Sequence, residues 1–371
     1  MLNRIKFYWT TLELRLHKLN FSVLKRMHFI VIIFLPLQLI FLYIVGQNPL
    51  WVEKYYSNSF YPYFFKAYKS LFNNIPFSIG DFLYLFVAIY LIISFLKITK
   101  GVFNFKYIII NILSIISIAI FVFYSSWGLN YFRLPLNKKL GFNINYTEKE
   151  IENTLNILIK NSNYLHKILT NNESLAVKVP YNKAKIASLI ENEFNFDLEK
   201  YDAKPYLKNS MLSTPLSYMG YTGYINPFTL ETQINTKIPK LNYIFTAAHE
   251  MAHQLGVASE SEANFIAFYT CIKNLDPFVR FTGYIFALNY CYNELIRINP
   301  SIANKAIKNL NFGIKENFRE LSEFWKLYQN PIEPLLKKGF DSYLKVNGQI
   351  HGIKSYNKMT SLIIAYLQKR I

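Results

Sequence analysis

Three long apolar runs occupy most of the first third of the chain, at about residues 28–46, 81–98 and 107–126. Each run is long enough to cross a bilayer as a helix. A basic leader precedes the first run and no small-residue cleavage site follows it, which favours an uncleaved anchor over a signal peptide. The pattern therefore predicts that residues 1–133 form a membrane region with three transmembrane helices.

Beyond residue 133 the apolar positions recur mostly at helical spacing. Thr147, with Glu150 three residues later, forms a capping box, so a helix is expected to begin there. We expect an α+β protein, in which transmembrane helices are followed by a mainly helical domain (134–371) with a small β-sheet. Further strands are predicted at 174–179 and within 206–235, and further helices at 182–195, 278–298, 302–309, 314–328, 334–343 and 358–369.

Aromatic residues are concentrated in two stretches beside the predicted spans. Residues 47–80 have the pattern of a loop rich in Tyr and Phe, and the sequence W-G-L-N-Y at 127–131 directly follows the third span. Because Trp and Tyr favour the boundary between lipid and water, both stretches are expected to lie at the bilayer surface.

Composition and charge are typical of a membrane protein. Apolar residues make up 52% and aromatic residues 18% of the 371 residues, and the net charge is +18. The positive bias is strongest up to Arg133, as expected for a segment beside anionic lipid, and no clustered basic face or nucleic-acid motif accompanies it. We therefore expect membrane lipid as a partner, and no nucleic acid.

The distribution of basic residues also predicts an orientation. Six Lys and Arg residues lie in the leader and three in the short second loop, whereas the longer first loop has three over more than thirty residues. By the positive-inside rule, the leader and the second loop face the cytoplasm. Three crossings of a bacterial inner (cytoplasmic) membrane then place residues 134–371 on the periplasmic side.

Candidate chemistry lies in the stretch 245–256, which contains the motif H-E-x-x-H. His249 and His253 are four residues apart and share one face of a helix, where two imidazoles can hold one zinc ion. Glu250 is placed to take a proton from a zinc-bound water as general base. Gly256 is placed to end the helix in the left-handed conformation. The alternative is a surface helix that carries these residues by chance.

Two glutamates downstream are candidates for a third zinc ligand. Ser259 and Glu262 have the spacing of a capping box, which predicts a second helix and gives Glu262 a structural role at its start. Glu260, in the first turn, is then free to point back at the histidines. We therefore expect Glu260 to be the third ligand, with Glu262 as the substitute; a carboxylate that only favours the helix dipole is the other interpretation of Glu260.

The H-E-x-x-H motif followed by E-S-E-A-N at 260–264 resembles the gluzincin class of zinc metallopeptidases. In that class two histidines and a later glutamate bind the metal, and the form of the second motif implies Glu260 rather than Glu262. The resemblance implies a zincin-like domain that binds Zn²⁺ and hydrolyses a peptide or protein substrate.

Over nearly its whole length the chain also resembles an uncharacterised family of bacterial membrane proteins that has an H-E-x-x-H-Q motif and three N-terminal transmembrane helices. This resemblance implies a fold class and a metal site, but no substrate. The other shared stretches are 127–131, 223–229 and the region from 341–344 to 355–356.

The resemblance to zincins implies two further roles. A strand that precedes the zinc helix pairs with the substrate backbone in such enzymes, and we expect this role for residues 220–226; an ordinary hairpin is the alternative. Zincins also commonly supply a Tyr or His from the C-terminal half to stabilise the oxyanion. Tyr356 and His351 are the candidates, and a packed loop residue is the alternative for each.

Two functions from different classes follow. The first is a membrane-anchored zinc endopeptidase that acts outside the inner membrane. The alternative is a non-catalytic zinc-containing sensor or assembly factor on a zincin fold. Glu250 favours the enzyme, because a zincin that had lost catalysis would be expected to lose this carboxylate.

Overall fold

The structure is a computed structural model that describes residues 31–99, 105–194, 204–347, 349 and 356–368. The chain divides into two compact units. The first unit comprises Met1–Asn48 and Tyr84–Ser125, and the second comprises Pro49–Leu83 and Ser126–Ile371. The predicted boundary after residue 133 differs from this division, because residues 49–83 and 126–133 belong to the second unit.

Within the described part of the chain, two helices are long and apolar enough to cross a membrane. They are α3 (Ile79–Thr99) and the stretch Ile109–Ser126 of α4 (Phe105–Ser126). A third candidate passes the same test only when α1 (Val31–Gly46) and α2 (Pro49–Phe72), which are separated by a break, are counted as one span. The predicted spans at 81–98 and 107–126 therefore correspond to apolar helices, and the first, at 28–46, begins outside the described residues.

The first unit contains α1 and most of α3 and α4. Gln38 of α1 donates a hydrogen bond from Nε2 to Ser117 Oγ of α4, at 3.0 Å. Phe34 and Phe121 meet edge to face on the same pair of helices. Most of the large apolar side chains of these helices are exposed, as expected for surfaces that face lipid.

The second unit is mainly helical, as expected. Part of α2, Val52–Phe60, is wound as a π-helix, and a 3₁₀ turn at Gly128–Phe132 follows α4. The remaining helices are α5 (Leu136–Lys139), α6 (Glu148–Thr170), α7 (Lys183–Glu193), α8 (Ser213–Met219), α9 (Lys240–Gln254), α10 (Glu260–Lys273), α11 (Pro277–Ile298), α12 (Pro300–Ile307), α13 (Phe312–Lys326), α14 (Glu333–Val346) and α15 (Tyr356–Gln368).

A three-stranded sheet lies beside α9. Its strands are β1 (Leu207–Asn209), β2 (Gly223–Ile225) and β3 (Thr232–Ile234), in the order β1-β3-β2. β1 runs parallel to β3, and β2 runs antiparallel to it with Tyr224 opposite Gln233. β2 is therefore an edge strand of this sheet. The predicted β-rich stretch is confirmed, although the short helix α8 between β1 and β2 was not expected.

The core of the second unit is formed by α6, α9, α10 and α11, which pack on one another. α9 is buried on nearly all sides, from Leu241 to Gln254, with only His249 of this stretch partly exposed. Burial of each large apolar side chain contributes about 1.5–3 kcal/mol. α9 is therefore a core helix and not a surface helix.

Two predictions from short sequence patterns, a capping box at Thr147 and a strand at 174–179, have different outcomes. The capping box at α6 is confirmed: Thr147 Oγ1 accepts from Glu150 N at 3.3 Å, and Glu150 Oε2 accepts from Thr147 N at 2.6 Å. The strand predicted at 174–179 is wrong. Val177 pairs instead with the side-chain amide of Asn317, which bonds both its N–H and its carbonyl at 3.0 Å.

The first aromatic stretch is a helix rather than the predicted loop, and both stretches have rings buried in the protein. Residues 49–72 of the expected 47–80 loop form α2, and Tyr61 and Phe65 on this helix are buried. Trp127, expected at the bilayer surface, is also buried. These rings pack within the protein, because the second unit offers them apolar surface and backbone acceptors that a composition pattern does not reveal.

Candidate metal centre

α9 brings the two motif histidines together. Their ring centroids are 4.5 Å apart and the ring planes are nearly perpendicular, as the four-residue spacing on one helical face predicts. The helix ends at Gln254, and Gly256, two residues later, has a φ of 83° in the left-handed region that glycine adopts without strain. The predicted helix end is confirmed, and the turn reverses the chain toward α10.

Glu260 is the first residue of α10 and faces both imidazoles. Its Oε2 lies 3.3 Å from His249 Nε2, and its Oε1 lies 3.6 Å from His253 Nε2. Ligand atoms around a tetrahedral zinc ion, at about 2.1 Å from it, lie about 3.4 Å from one another. Each of the three residues offers a ligand atom, and these atoms all lie within 4.8 Å of one another. The donor set and its spacing therefore fit a zinc ion.

Glu262, the alternative ligand, points elsewhere. Its Oε1 accepts a hydrogen bond from Leu136 N at 3.0 Å and lies 3.3 Å from Lys358 Nζ. The capping box predicted at Ser259 is wrong, since Ser259 is the N-cap residue but its side chain makes no capping bond; its hydroxyl pairs with that of Ser261. Glu262 has a structural role, as expected, but through different partners. The geometry favours Glu260 over Glu262 as a ligand.

A hydrogen bond at Nδ1 fixes the ring of His253. Its Nδ1 bonds the carbonyl of Val257 at 2.6 Å, which leaves Nε2 as the nitrogen that faces Glu260. A hydrogen bond from the other ring nitrogen to a carbonyl sets the tautomer and the orientation of a metal-binding imidazole. Among the described residues, His249 Nδ1 and Glu250 Oε2 are buried without a hydrogen-bond partner. Such unsatisfied polar atoms are rare in folded proteins and are often found at functional sites.

Charges in the cluster are strongly coupled. Burial opposes a charge on the His253 imidazole, but the carboxylate of Glu260 outweighs burial and raises the pKa of His253 to about 9. Although burial also opposes ionisation of Glu260, the two imidazoles lower its pKa. Burial raises the pKa of Glu250 to about 7, with the imidazoles acting in the opposite direction. The cluster therefore favours a positive charge between its ligand atoms, carried by a proton or by a metal cation.

The edge strand β2 contacts the predicted general base. A Cβ atom added to Gly223 would lie 2.8 Å from both Cγ and Oε1 of Glu250, and 2.8 Å from the carbonyl oxygen of Gln233. Only glycine allows this approach of backbone to carboxylate. The next residue, Tyr224, points its hydroxyl at Asp81 Oδ1. Within the predicted substrate stretch 220–226, β2 thus approaches Glu250 closely.

Several residues for which the sequence predicted no role at the site hold the end of α9. Trp127 Nε1 donates to the carbonyl of His253 at 2.9 Å, and the Tyr61 hydroxyl donates to that of Gln254 at 2.7 Å. The Gln254 side chain donates to the carbonyl of Leu230 at 2.8 Å. Leu230 is buried and has a positive φ of 53°. No local sequence signal connects Trp127 to His253, because the two residues are 126 positions apart.

The predicted oxyanion donors lie at the edge of what the structure describes. Tyr356 opens α15, but its side chain is outside the described residues, and His351 is also outside them. Their roles therefore stay predictions.

The chain was compared with known proteins. A family model with the description "Protein of unknown function (DUF3810)" matches residues 56–364, which is well over half of the chain. No curated protein and no solved structure matches the chain.

Proposed function

The chain belongs to the DUF3810 family, and we propose that it is a membrane-anchored zinc metallopeptidase. The observation that carries the proposal is the cluster of His249, His253 and Glu260, with the buried carboxylate of Glu250 beside it. Two imidazoles and one carboxylate are the donor set of a catalytic zinc site, in which a fourth position stays open. A structural zinc site would instead fill all four positions with protein ligands.

The proposed chemistry is hydrolysis of a peptide bond. A zinc ion bound by these three side chains would supply a Lewis acid that polarises the scissile carbonyl and lowers the pKa of a water molecule to about 7. Glu250 accepts the proton of the attacking water as its oxygen bonds to the carbonyl carbon, and returns that proton to the amine as the C–N bond breaks. Tyr356 is the proposed donor to the developing oxyanion.

The neighbourhood of Glu250 supports a peptide as substrate. β2 is an edge strand, and an extended chain that adds to the sheet at its outer side would do so through main-chain hydrogen bonds. Gly223 brings that edge against Glu250, the group that handles the proton. Main-chain hydrogen bonds do not depend on the identity of the substrate side chains. This arrangement therefore favours endopeptidase action on extended segments.

The proposed location is the bacterial inner membrane, with the second unit on the periplasmic side and lipid around the first. The basic leader and the basic loop between α3 and α4 support this orientation by the positive-inside rule. A non-catalytic zinc-containing sensor or assembly factor remains the alternative function.

The test uses the full chain in detergent micelles. Metal analysis is expected to give about one zinc per chain, as for a mononuclear site. A peptide library is expected to be cleaved by the wild type, and cleavage by Glu250→Gln is expected to fall at least ~10²-fold, because general base catalysis is lost.

The variant is expected to keep its zinc, since Glu250 is not a ligand. Zinc without cleavage of any peptide by the wild type would favour the non-catalytic alternative. Equal turnover by wild type and E250Q would refute the role of Glu250, and absence of zinc from the wild type would refute the metal centre.

A further inference from the structure

The end of α9 carries His253, a proposed metal ligand. The last four carbonyls of a helix have no partner within it, so a helix end frays unless other groups bind them. His253 lies in this last turn. Its carbonyl accepts from Gly256 N at 3.0 Å, and that of Ala252 accepts from Val257 N at 3.2 Å. Among the described residues, no backbone N–H outside the helix donates to the carbonyl of Gln254.

Three side chains from outside α9 complete this end. Trp127 bonds the His253 carbonyl, Tyr61 bonds the Gln254 carbonyl, and Arg133 Nη1 donates to the Gly256 carbonyl at 3.0 Å. Trp127 and Tyr61 are 3% and 2% exposed, so their bonds are shielded from water. We name Tyr61, Trp127 and Arg133 the clamp. The clamp and the Val257 carbonyl together fix His253 at its backbone and at its ring.

The clamp also contacts the turn and is itself braced. A Cβ atom added to Gly256 would lie 3.1 Å from Cε1 of the Tyr61 ring. The Trp127 ring stands edge-on to the His253 ring, with centroids 6.1 Å apart. Glu53 of α2 bonds Arg133 at 2.9 Å and also pairs with Lys139 at 2.6 Å. A displacement of any clamp residue would therefore move the last turn of α9.

The clamp comes from the segments that border the candidate membrane spans. Trp127 is the residue after Ser126, the last residue of α4, and Arg133 follows within the same turn segment. Tyr61 and Glu53 lie on α2, between α1 and α3. We propose that the clamp residues are positioning residues of the metal site, so that residues 134–371 do not form a complete site by themselves. This inference rests on the proposed function.

The experiment measures metal binding in the full chain in detergent micelles. Trp127→Phe and Tyr61→Phe keep a ring and remove one donor each. Loss of an outer hydrogen bond to a metal ligand typically weakens metal affinity by about 10–100-fold. We expect the Kd for Zn²⁺, from competition with a chelating dye, to rise about 10-fold in each variant. With Co²⁺ at saturation, the visible absorption bands are expected to shift, because the aim of His253 changes.

Tyr243→Phe is the matched control. Tyr243 is on α9 as well, near its start and ten residues before His253. It is 1% exposed, and its hydroxyl donates to Asn209 Oδ1 at 2.9 Å. It should lose thermal stability as Tyr61→Phe does, yet keep the wild-type Kd and Co²⁺ spectrum. Amide hydrogen exchange at 253–257, measured without added metal, is expected to accelerate in both clamp variants and not in the control.

The outcomes separate the two proposals. Wild-type Kd, spectrum and exchange in both clamp variants would overturn the positioning role and leave the zinc site standing. An equal change in Tyr243→Phe would also overturn it, because general destabilisation would then explain the effect. A wild-type chain that takes up neither Zn²⁺ nor Co²⁺ would overturn the proposed function, and this inference with it.

Discussion

At the scale of single residues, two glutamates separated by one position have different surroundings. Glu260 faces both imidazoles, whereas Glu262 accepts from a backbone N–H and pairs with Lys358. The difference follows from the helical rotation of about 100° per residue, which turns residues two apart to nearly opposite faces of α10. The same side-chain type therefore serves the metal site in one case and the fold in the other.

This contrast gives a paired prediction. Glu260→Gln is expected to raise the Kd for Zn²⁺ by at least ~100-fold, because a charged ligand becomes a neutral amide. Glu262→Gln is expected to bind zinc as the wild type does, and to lose about 1–3 kcal/mol of stability through its weakened buried hydrogen bond and ion pair. Competition with a chelating dye measures the first effect, and thermal unfolding measures the second. Zinc loss in Glu262→Gln with retention in Glu260→Gln would reverse the assignment.

At the scale of elements, β2 approaches Glu250 of α9 closely because residue 223 is a glycine and has no side chain. Gly223→Ala would place a methyl group 2.8 Å from Glu250 and from the Gln233 carbonyl oxygen, so the strand or the carboxylate must shift. We expect kcat/KM on a cleaved library peptide to fall at least ~10-fold, since a displacement of about 1 Å in an active site can cost 10²-fold. The zinc content should stay at the wild-type value, because the atoms nearest to the added methyl group belong to Gln233 and Glu250 and not to a proposed ligand.

Gly339→Ala is the control for this variant. Gly339 lies within α14, and a Cβ atom there would meet nothing within 4 Å. Alanine is favoured over glycine in a helix by about 0.8–1.0 kcal/mol, so activity should be unchanged and stability equal or higher. If Gly223→Ala cleaves as fast as Gly339→Ala, β2 does not need to approach Glu250 for catalysis.

The sequence predicted those parts of the fold that local geometry determines. The spacing of His249 and His253 fixes their common face, Gly256 marks a left-handed helix end, and Thr147 with Glu150 caps α6. The errors occur where a distant partner decides the structure. In the described structure the alternating stretch 174–179 has no neighbouring strand. The side chain of Asn317, 140 positions away, forms hydrogen bonds with the backbone N–H and carbonyl of Val177 instead.

The site shows the same division. The motif located Glu250 and the three candidate ligands, because they lie on two consecutive helices joined by a short turn. The clamp was not predictable, since an aromatic residue beside a membrane span fits an interfacial position as well as a buried one. Its contacts exist only because the second unit includes both α2 and the segment after α4.

At the scale of the whole molecule, the start of α3 and the last residue of α4 both belong to the second unit. The turn before α3 is bound to the sheet: Lys208 Nζ bonds the carbonyls of Phe72 and Phe77 and pairs with Glu231, which accepts from Gly80 N at 2.6 Å. Asp81, in the first turn of α3, accepts from Met211 N at 2.7 Å. The chain leaves the second unit at α3 and re-enters it after α4. If both helices cross the bilayer, the second unit therefore has both connections on one side.

This arrangement makes the number of crossings measurable from the position of the N-terminus. With α3 and α4 as a crossing pair, the second unit and the start of α1 share one side unless α1 and the residues before it also cross. Because the leader is basic, we expect it in the cytoplasm and the second unit outside, which requires three crossings. Cysteine variants Ser22→Cys in the leader, Thr99→Cys at the end of α3 and Lys178→Cys in the second unit report the side of each segment. The native Cys271 and Cys291 are fully buried and should not react.

The measurement is labelling with a membrane-impermeant maleimide in spheroplasts, before and after permeabilisation. Lys178 is exposed, so its cysteine variant is expected to react in intact spheroplasts. Ser22→Cys and Thr99→Cys are expected to react only after permeabilisation, because a polar label does not cross the hydrocarbon core, which is about 30 Å thick. Labelling of Ser22→Cys together with Lys178→Cys in intact cells would show two crossings. Labelling of Thr99→Cys alone would place the second unit in the cytoplasm, and its substrates would then have to be cytoplasmic proteins.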